Sequence, residues 1–391
     1  MRILILTISY PPNVGGVETH LADLIQWLEG RSDLEVDLLT YQPITTSARG
    51  AALEQVGRAR IFRIAWFGRN LFHQLESRPF LQFIYLAPRL LLASILHLLR
   101  HGRYDVIHAH GLVAAWVAGW LKRWWKMPVL VSIHAVYSFP PRSPTAARMH
   151  RILEGVDHVL ALSDASLAQL EAYGLPRARG GRFTYWVDPK IFFPRPRSEA
   201  RAKHALPSHA MICLFVGRLL EIKGVETIFH LAKCLPDLLF LIAGDGPMEK
   251  DCRNATQNLS NLRYLGRMPN EDLGSFYSAC DLLLVPSQYE EGFGRVVCEA
   301  LSCGLPVIAA NRGGLKEAIK DGGGLLVEPT VEAFSSAILA WRKKGGSTLG
   351  VRQACRTLAK KKFGSANARM IEDSLRQLGN KMTPLRPSKA I

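Results

Sequence analysis

The sequence predicts an α/β architecture of two doubly wound domains, and three observations carry the prediction. The chain has 391 residues, long for one hydrophobic core and comfortable for two domains of ordinary size. It opens as strand, glycine turn and helix. Ile3 to Ile8 is a short apolar run of the kind buried in a parallel sheet. Pro11, Pro12, Gly15 and Gly16 make the turn, and Leu21, Leu24, Ile25 and Leu28 repeat at helical spacing. Finally, the second half alternates short apolar runs with helical or loop segments, the pattern of parallel strands joined by crossovers.

Taken in order, Val36 to Thr40 is a second strand. Residues 71–100 are apolar with a break at Pro88-Arg89, too interrupted for a spanning helix of about 20 residues. Two readings stand for this stretch: a pair of helices packed on the sheet, or an interfacial surface edged by Arg78, Arg89, Arg100 and Arg103. The same two readings apply to Trp116, Trp120, Trp124 and Trp125, which are mixed with Lys122, Arg123 and Lys126. Asp105-Val-Ile-His-Ala-His110 and Val129-Leu-Val-Ser-Ile-His134 are strands that end in histidine. Ligands of open α/β sheets sit at the carboxyl ends of strands, which singles out His134; of His108 and His110, at least one is expected to be packing. Residues 138–149 read as a proline-rich loop. Val156 to Leu162 is a strand, and Ser163 caps a helix over Ala165–Tyr173. A proline- and arginine-rich linker covers 176–198. Strands follow at Ile212–Val216, Leu238–Ala243, Leu262–Leu265, Leu282–Val285, Val307–Ala309 and Leu325–Val327. A basic helix runs from Leu349 to Leu378.

Composition narrows the function. The formal net charge is +16, but residues 195–341 hold 15 basic and 17 acidic side chains, whereas 342–391 hold 13 against 2 and 49–103 hold 9 against 2. The excess therefore lies on two flanks. That placement suits an anionic bilayer, at about 1 kcal/mol per nearby Lys or Arg, and no nucleic-acid-binding signature accompanies it. All seven cysteines lie beyond residue 212 with no C-x-x-C pair and no zinc spacing, the pattern of free thiols in a reducing cytosol. The N-terminal apolar run is too short for a signal peptide.

The chemistry concentrates between Pro286 and Glu299. A strand ends at Val285, a helix starts near Arg295, and between them lie Glu290, Glu291, Gly292, Phe293 and Gly294. Glycines let the backbone approach a ligand, and a helix start presents unpaired N–H groups to an anion. Glu291 and Glu299 are separated by seven residues, one in the loop and one about two turns down the helix; such carboxylates suit sugar hydroxyls. Upstream, Gly217-Arg218 ends a strand and Lys223-Gly224 opens the next helix. Arg218 offers a planar fork to phosphate oxygens and Lys223 a point charge. No Asp-x-Asp occurs anywhere, so cations and helix dipoles stand where a metal ion would otherwise neutralise a leaving diphosphate, and no metal is expected. Arg267 and Met268, after the strand ending at Leu265, are weaker candidates for contact with a base. Asp245 reads as a turn residue and Glu317 as a cap.

These blocks resemble a known family. Tyr10-Pro-Pro-Asn-Val-Gly-Gly-Val-Glu18, Asp105 to His110, Val131-Ser-Ile-His134, Gly217 to Gly224, Ala243-Gly-Asp-Gly-Pro247, the E-x7-E pair Glu291/Glu299 and Gly304-Leu-Pro-Val-Ile308 occur in the order found in the retaining glycosyltransferases of the GT-B type, family 4 (glycosyl transferases group 1). The resemblance implies two Rossmann-like domains facing each other across a cleft, with a terminal helix crossing back. The boundaries expected are 1–190 for the acceptor domain, 195–362 for the nucleotide-sugar donor domain and 363–391 for the returning helix and basic tail. It implies a hexosyl transfer from a nucleoside-diphosphate sugar to a hydroxyl of a glycan or lipid-linked acceptor, with retention and without a cofactor. It also implies Gly16 closing over the donor phosphates, His134 at the donor sugar, Glu291 with the Phe293 and Gly294 amides at the transferred sugar, and Glu299 on the ribose; the proline-rich loop at 138–149 is read as an acceptor-side lid over the expected cleft. The alignment with the family selects Glu291 over Glu290. A nucleotide-sugar epimerase of the same architecture, an NAD oxidoreductase and a non-catalytic membrane-associated relative are the alternatives; the E-G-F-G block, the missing G-x-G-x-x-G and the intact Arg218, Lys223, Glu291 and Glu299 weigh against them in turn. The basic, apolar first half points to envelope polysaccharide or lipopolysaccharide work by a cytoplasmic protein that is peripheral on the membrane.

Overall fold

The computed structural model describes residues 1–13, 15–46, 48–67, 71, 74–75, 78–136, 140 and 143–380. The chain forms two compact units, one of residues 1–183 with the stretch from 366 onward, the other of residues 184–365.

The first unit is built on an eight-stranded sheet of β1 (Arg2–Leu6), β2 (Glu35–Tyr41), β3 (Leu53–Val56), β4 (Ala59–Ile64), β5 (Val106–His110), β6 (Val129–Ile133), β7 (His158–Ala161) and β8 (Gly180–Arg182). Their order is β3-β4-β2-β1-β5-β6-β7-β8, and every pair is parallel except the β3–β4 hairpin. The chain runs outward from β1 in one direction and from β5 in the other, so the switch of direction falls between these two strands, with Leu6 opposite Ala109. Leu4, Leu6, Ile107, Val129 and Val131 are fully buried, which is why β1, β5 and β6 read as largely apolar runs.

Several elements depart from the sequence reading. The β3–β4 hairpin and β8 were not expected; β8 lies inside the stretch read as linker. Residues 79–101 form one helix, Pro79–His101, that runs through Pro88. An internal proline costs about 3 kcal/mol, but Leu86, Leu90 and Leu98 are buried beside it, at about 1.5–3 kcal/mol each, and burial wins. By length and composition this helix could cross a membrane, with a third of the apolar window buried inside the unit. Residues 143–149, read as loop, start the helix Pro144–Glu154: Ser143 accepts from the Ala146 amide and Pro144 takes the first helical position. The rest of that expected lid, apart from Pro140, lies outside the described residues, as do Phe72 and the tail from 381. The single terminal helix is instead two, Leu349–Lys362 and Ala366–Asn380, because Phe363-Gly364-Ser365 interrupts it.

Ala366–Asn380 returns to the first unit. Ala368, Ile371 and Leu375 are buried, and the Trp27 indole donates to Glu372 Oε2 at 2.8 Å while Arg31 Nε donates at 3.1 Å.

The second unit has a six-stranded, all-parallel sheet of β9 (Ile212–Val216), β10 (Leu239–Ala243), β11 (Leu262–Gly266), β12 (Leu282–Val285), β13 (Val307–Ala310) and β14 (Gly324–Val327). The order is β11-β10-β9-β12-β13-β14, and the switch falls between β9 and β12. Phe240, Ile242, Leu284, Ile308, Phe334 and Ile338 fill the core. The seven cysteines are free, and all but Cys234 are buried.

Candidate active-site groups at the two switch points

In a doubly wound sheet the crevice forms outside the carboxyl ends of the strands where the winding reverses. In the second unit this brings together the loops after β9 and β12, one carrying Arg218 and Lys223, the other Ser287 to Gly294. Gly224 makes their close approach possible. It sits at φ +75°, and a Cβ there would lie 2.1 Å from the Pro286 carbonyl oxygen. The Gln288 amide then donates to Ile222 O at 2.8 Å.

The stitched loops bury one ion pair. Lys223 Nζ donates to Glu291 Oε1 at 2.6 Å and to the Tyr289 hydroxyl at 2.7 Å. Ser287 donates to the same carboxylate oxygen at 2.7 Å, and Tyr289 to Oε2 at 2.9 Å. Glu291 is 7% exposed. Burial alone would raise its pKa, but the Lys223 charge and hydrogen bond, together with the two hydroxyls, reverse that and hold the carboxyl below its usual range. The carboxylate therefore stays ionised. Tyr289 is pushed up by burial and by the adjacent Glu291, so it remains a donor. Lys223 thus pairs with Glu291 across the two loops.

The other predicted donor residues divide into groups. Gly292, Phe293 and Gly294 share the Glu291 loop. Gly313 and Gly314 lie against it, where a Cβ would meet Glu291 O and Gly292 O, each at 2.2 Å. The Phe293 ring points inward, edge-on to Tyr185 at 6.4 Å and to Phe363 at 5.9 Å, and anchors the loop. The helix begins at Arg295 with Gly294 as its cap at φ +81°. Lys223, by contrast, closes a short turn and its helix begins at Val225, two residues beyond the position expected, whereas the helix from Arg295 starts where the sequence reading put it. Glu299 lies in that first helix, 4% exposed, accepting from the Tyr277 hydroxyl at 2.9 Å and from Arg295 Nε at 3.0 Å. Arg218 is half-buried, and its charge acts on Tyr289. Arg267 and Met268 follow β11, two strands from β9, Arg267 exposed and Met268 half-buried. Glu290 is a structural acid, since its carboxylate accepts the Gly313 amide.

The first unit's switch point is dominated by imidazoles. His110 ends β5, His134 follows β6, and His110 Nδ1 lies 2.9 Å from His134 Nε2. His20 stands edge-on to His134 at 5.2 Å, as does Phe183. His108 lies beneath, its Nε2 2.8 Å from the Ser132 hydroxyl. Burial lowers His108 and His134 to about 3, and burial with neighbouring histidines takes His110 well below its ordinary value, so all three are neutral imidazoles at pH 7. His20, His110 and His134 each offer a ring nitrogen within 4.8 Å of the others, the one group among the described residues with the donor atoms to hold a metal ion. Gly16 starts the helix Gly16–Glu29 and is exposed, while Glu18 accepts from Ser9 Oγ at 2.6 Å.

Ser287, Tyr289, Tyr277, Arg295 and His20 escaped the sequence reading. Only Arg295 carried a readable signal, four residues before Glu299 on one helix face.

The comparisons with known proteins divide the chain at the same place. Residues 14–182 match the Glycosyltransferase Family 4 model and residues 196–362 the Glycosyl transferases group 1 model. The chain belongs to this glycosyltransferase family. A D-inositol 3-phosphate glycosyltransferase of Mycolicibacterium smegmatis is 33% identical over 248 residues, covering 58% of this chain and 57% of that one. A counterpart from Mycobacterium tuberculosis is 29% identical over 242 residues, covering 56% and 50%. The match thus spans little more than half of these curated relatives. Among solved structures, a sucrose-phosphate synthase from Thermosynechococcus elongatus superposes with a TM-score of 0.83 at 24% identity, covering 97% of this chain and 99% of that one. Anabaena HepE in complex with UDP and glucose does so with a TM-score of 0.76 at 22% identity, covering 96% and 100%. The shared fold of the family 4 chain is GT-B.

Proposed function

We propose that this chain transfers a hexosyl unit from a nucleoside-diphosphate sugar to a hydroxyl of a glycan or lipid-linked acceptor, with retention at the anomeric carbon. The observation that carries the reading is the buried Lys223–Glu291 pair at the second unit's switch point. The solved relatives with UDP or UDP-glucose support a nucleotide sugar as the donor.

In this reading Arg218, Lys223 and the amides at the start of the helix Arg295–Ser302 take the diphosphate. Lys223 is positioned for it by Glu291 and Tyr289. Glu291, kept ionised, accepts from the transferred sugar and favours a transition state with oxocarbenium character. Glu299, preset by Tyr277 and Arg295, accepts from the ribose. Gly16 and the neutral His134 serve as hydrogen-bonding surface at the donor phosphates and sugar, and Arg267 and Met268 lie toward the base. The acceptor oxygen bonds to the anomeric carbon as the bond to the phosphate oxygen breaks, the proton passes to that leaving phosphate, and the nucleoside diphosphate departs. Cations already supply the charge that a metal would, so the step runs without one. We place the enzyme in envelope glycan synthesis at the cytoplasmic membrane face, with the basic flanks on anionic lipid.

The test is release of nucleoside diphosphate from a panel of UDP-, GDP- and ADP-sugars, with and without EDTA. Release that survives EDTA and is lost in Glu291→Gln supports the proposal. A changed free sugar with no transfer would replace it with epimerisation.

A further inference from the structure

The first unit has a second concavity that the transfer chemistry leaves unused. A groove of about 1120 Å³ is lined by residues of the helices Pro79–His101, Gly111–Trp125 and Pro144–Glu154. That is just above the usual range for small-ligand pockets, about 300–1,000 Å³, and more than a sugar needs. Phe80, Phe83, Trp116, Trp120, Met149 and Ile152 make its walls. The rings are continuous: Phe83 stands edge-on to Trp116 at 5.3 Å, and Trp116 to Trp120 at 6.0 Å. Arg78, Arg123, Arg148 and Arg151 line it too, and no carboxylate does among the described residues. The Arg148 guanidinium lies 4.8 Å over the Phe80 ring. The lining also includes Ile8 and His110 at the switch point, and His110 is the ring that touches His134.

These features fit one kind of occupant. An aromatic trough takes a hydrocarbon chain, four guanidinium forks take phosphate oxygens, and continuity with His110 brings whatever the phosphate carries to the strand ends. A free sugar phosphate has no chain for the trough. The helix Pro79–His101 adds a seat for a bilayer, since Ile84, Leu92, Leu96 and Leu99 are 47–70% exposed, and Trp124 is 49% exposed on the neighbouring helix. We propose that this groove binds the hydrocarbon chain and phosphate of a membrane lipid phosphate whose headgroup carries the acceptor hydroxyl. The inference rests on the transfer reading above and narrows its acceptor to an anionic lipid.

Flotation of the full chain with phosphatidylcholine vesicles, with and without phosphatidic acid, tests it, together with competition by decyl phosphate, decyl maltoside and inorganic phosphate. The expected result is flotation only with phosphatidic acid, competed by decyl phosphate, which has both chain and charge, and not by the other two. Arg148→Glu with Arg151→Glu should weaken vesicle binding about 30-fold or more. Phe80→Asp, at a position 54% exposed and so tolerant of the change, should abolish competition by decyl phosphate. Failure to float at low salt, competition by inorganic phosphate as strong as by decyl phosphate, or unchanged binding in both variants would each overturn the proposal. Nucleotide-sugar binding measured in parallel on the unsubstituted chain reports on the transfer reading separately.

Discussion

The two switch points solve the same topological problem with opposite chemistry. At the β9/β12 point the loops bury a lysine against a glutamate and surround the pair with hydroxyls; at the β1/β5 point four imidazoles and a phenyl ring are packed, and burial keeps His108, His110 and His134 neutral. Charge is paired and buried at the first of these points, where the proposed reading puts a diphosphate, and the strand-end rings of the second carry none. An ionised pair kept in a buried place is stable only while both members remain, whereas neutral rings are stable only while protons stay away. The two sites should therefore fail differently.

The largest effect is expected at the pair. Lys223→Ala leaves Glu291 without its cation, and transfer should fall about 100-fold or more, with about 2–3 kcal/mol lost in urea unfolding. Combining Lys223→Met with Glu291→Gln should cost less stability than the two single changes summed; simple additivity would show that the pair is not coupled. Next is Gly224→Ala, whose Cβ has no room beside Pro286 O; we expect a loss of about 2 kcal/mol, and a variant as stable as the parent would deny the close approach of the loops.

Acid should act on the other site. His108 and His134 titrate at about 3 in the fold and near 6.5 when unfolded, so the unfolded state binds more protons as pH falls below 6.5. Stability is unaffected above that value and is lost progressively toward 3, at about 1.4 kcal/mol per pH unit for each such histidine. The thermal midpoint measured from pH 7.5 to 5 should drop, and His108→Gln, which keeps a partner for Ser132, should flatten the slope. A pH-independent midpoint would mean that these imidazoles are already solvated.

Smaller again is Glu299→Gln, expected to raise the donor KM about tenfold while leaving kcat within a few-fold. The smallest is Tyr289→Phe, which removes one of three donors from Glu291 and should cost about 1 kcal/mol, seen as a few-fold loss of kcat/KM.

Much of this was legible in the sequence. The six strands of the second unit fall within a residue of their expected ends, since the four inner ones are buried apolar runs and short turns bound the two edge strands. β3 and β4 were not seen because they lie at a half-exposed sheet edge, where Arg60 and Arg63 interrupt the apolar pattern; β8, with three residues, is too short to carry a pattern. Pro88 misled because local propensity was outweighed by the burial of Leu86 and Leu90. In the site, Lys223 and Glu291 could be named from loop position and spacing. Tyr289, Tyr277 and His20 could not: Tyr289 meets Lys223 from 66 positions away, Tyr277 and Glu299 are 22 positions apart, and His20 and His134 lie on different elements.

The helix Ala366–Asn380 has a consequence for how the molecule is made. Its 15 residues follow residues 184–365 in the chain, yet they bond Trp27 and pack against β5 and β6, which precede that stretch. The unit that holds both histidine-tipped strands therefore gains its last helix only after the whole of the contiguous unit 184–365 has been translated.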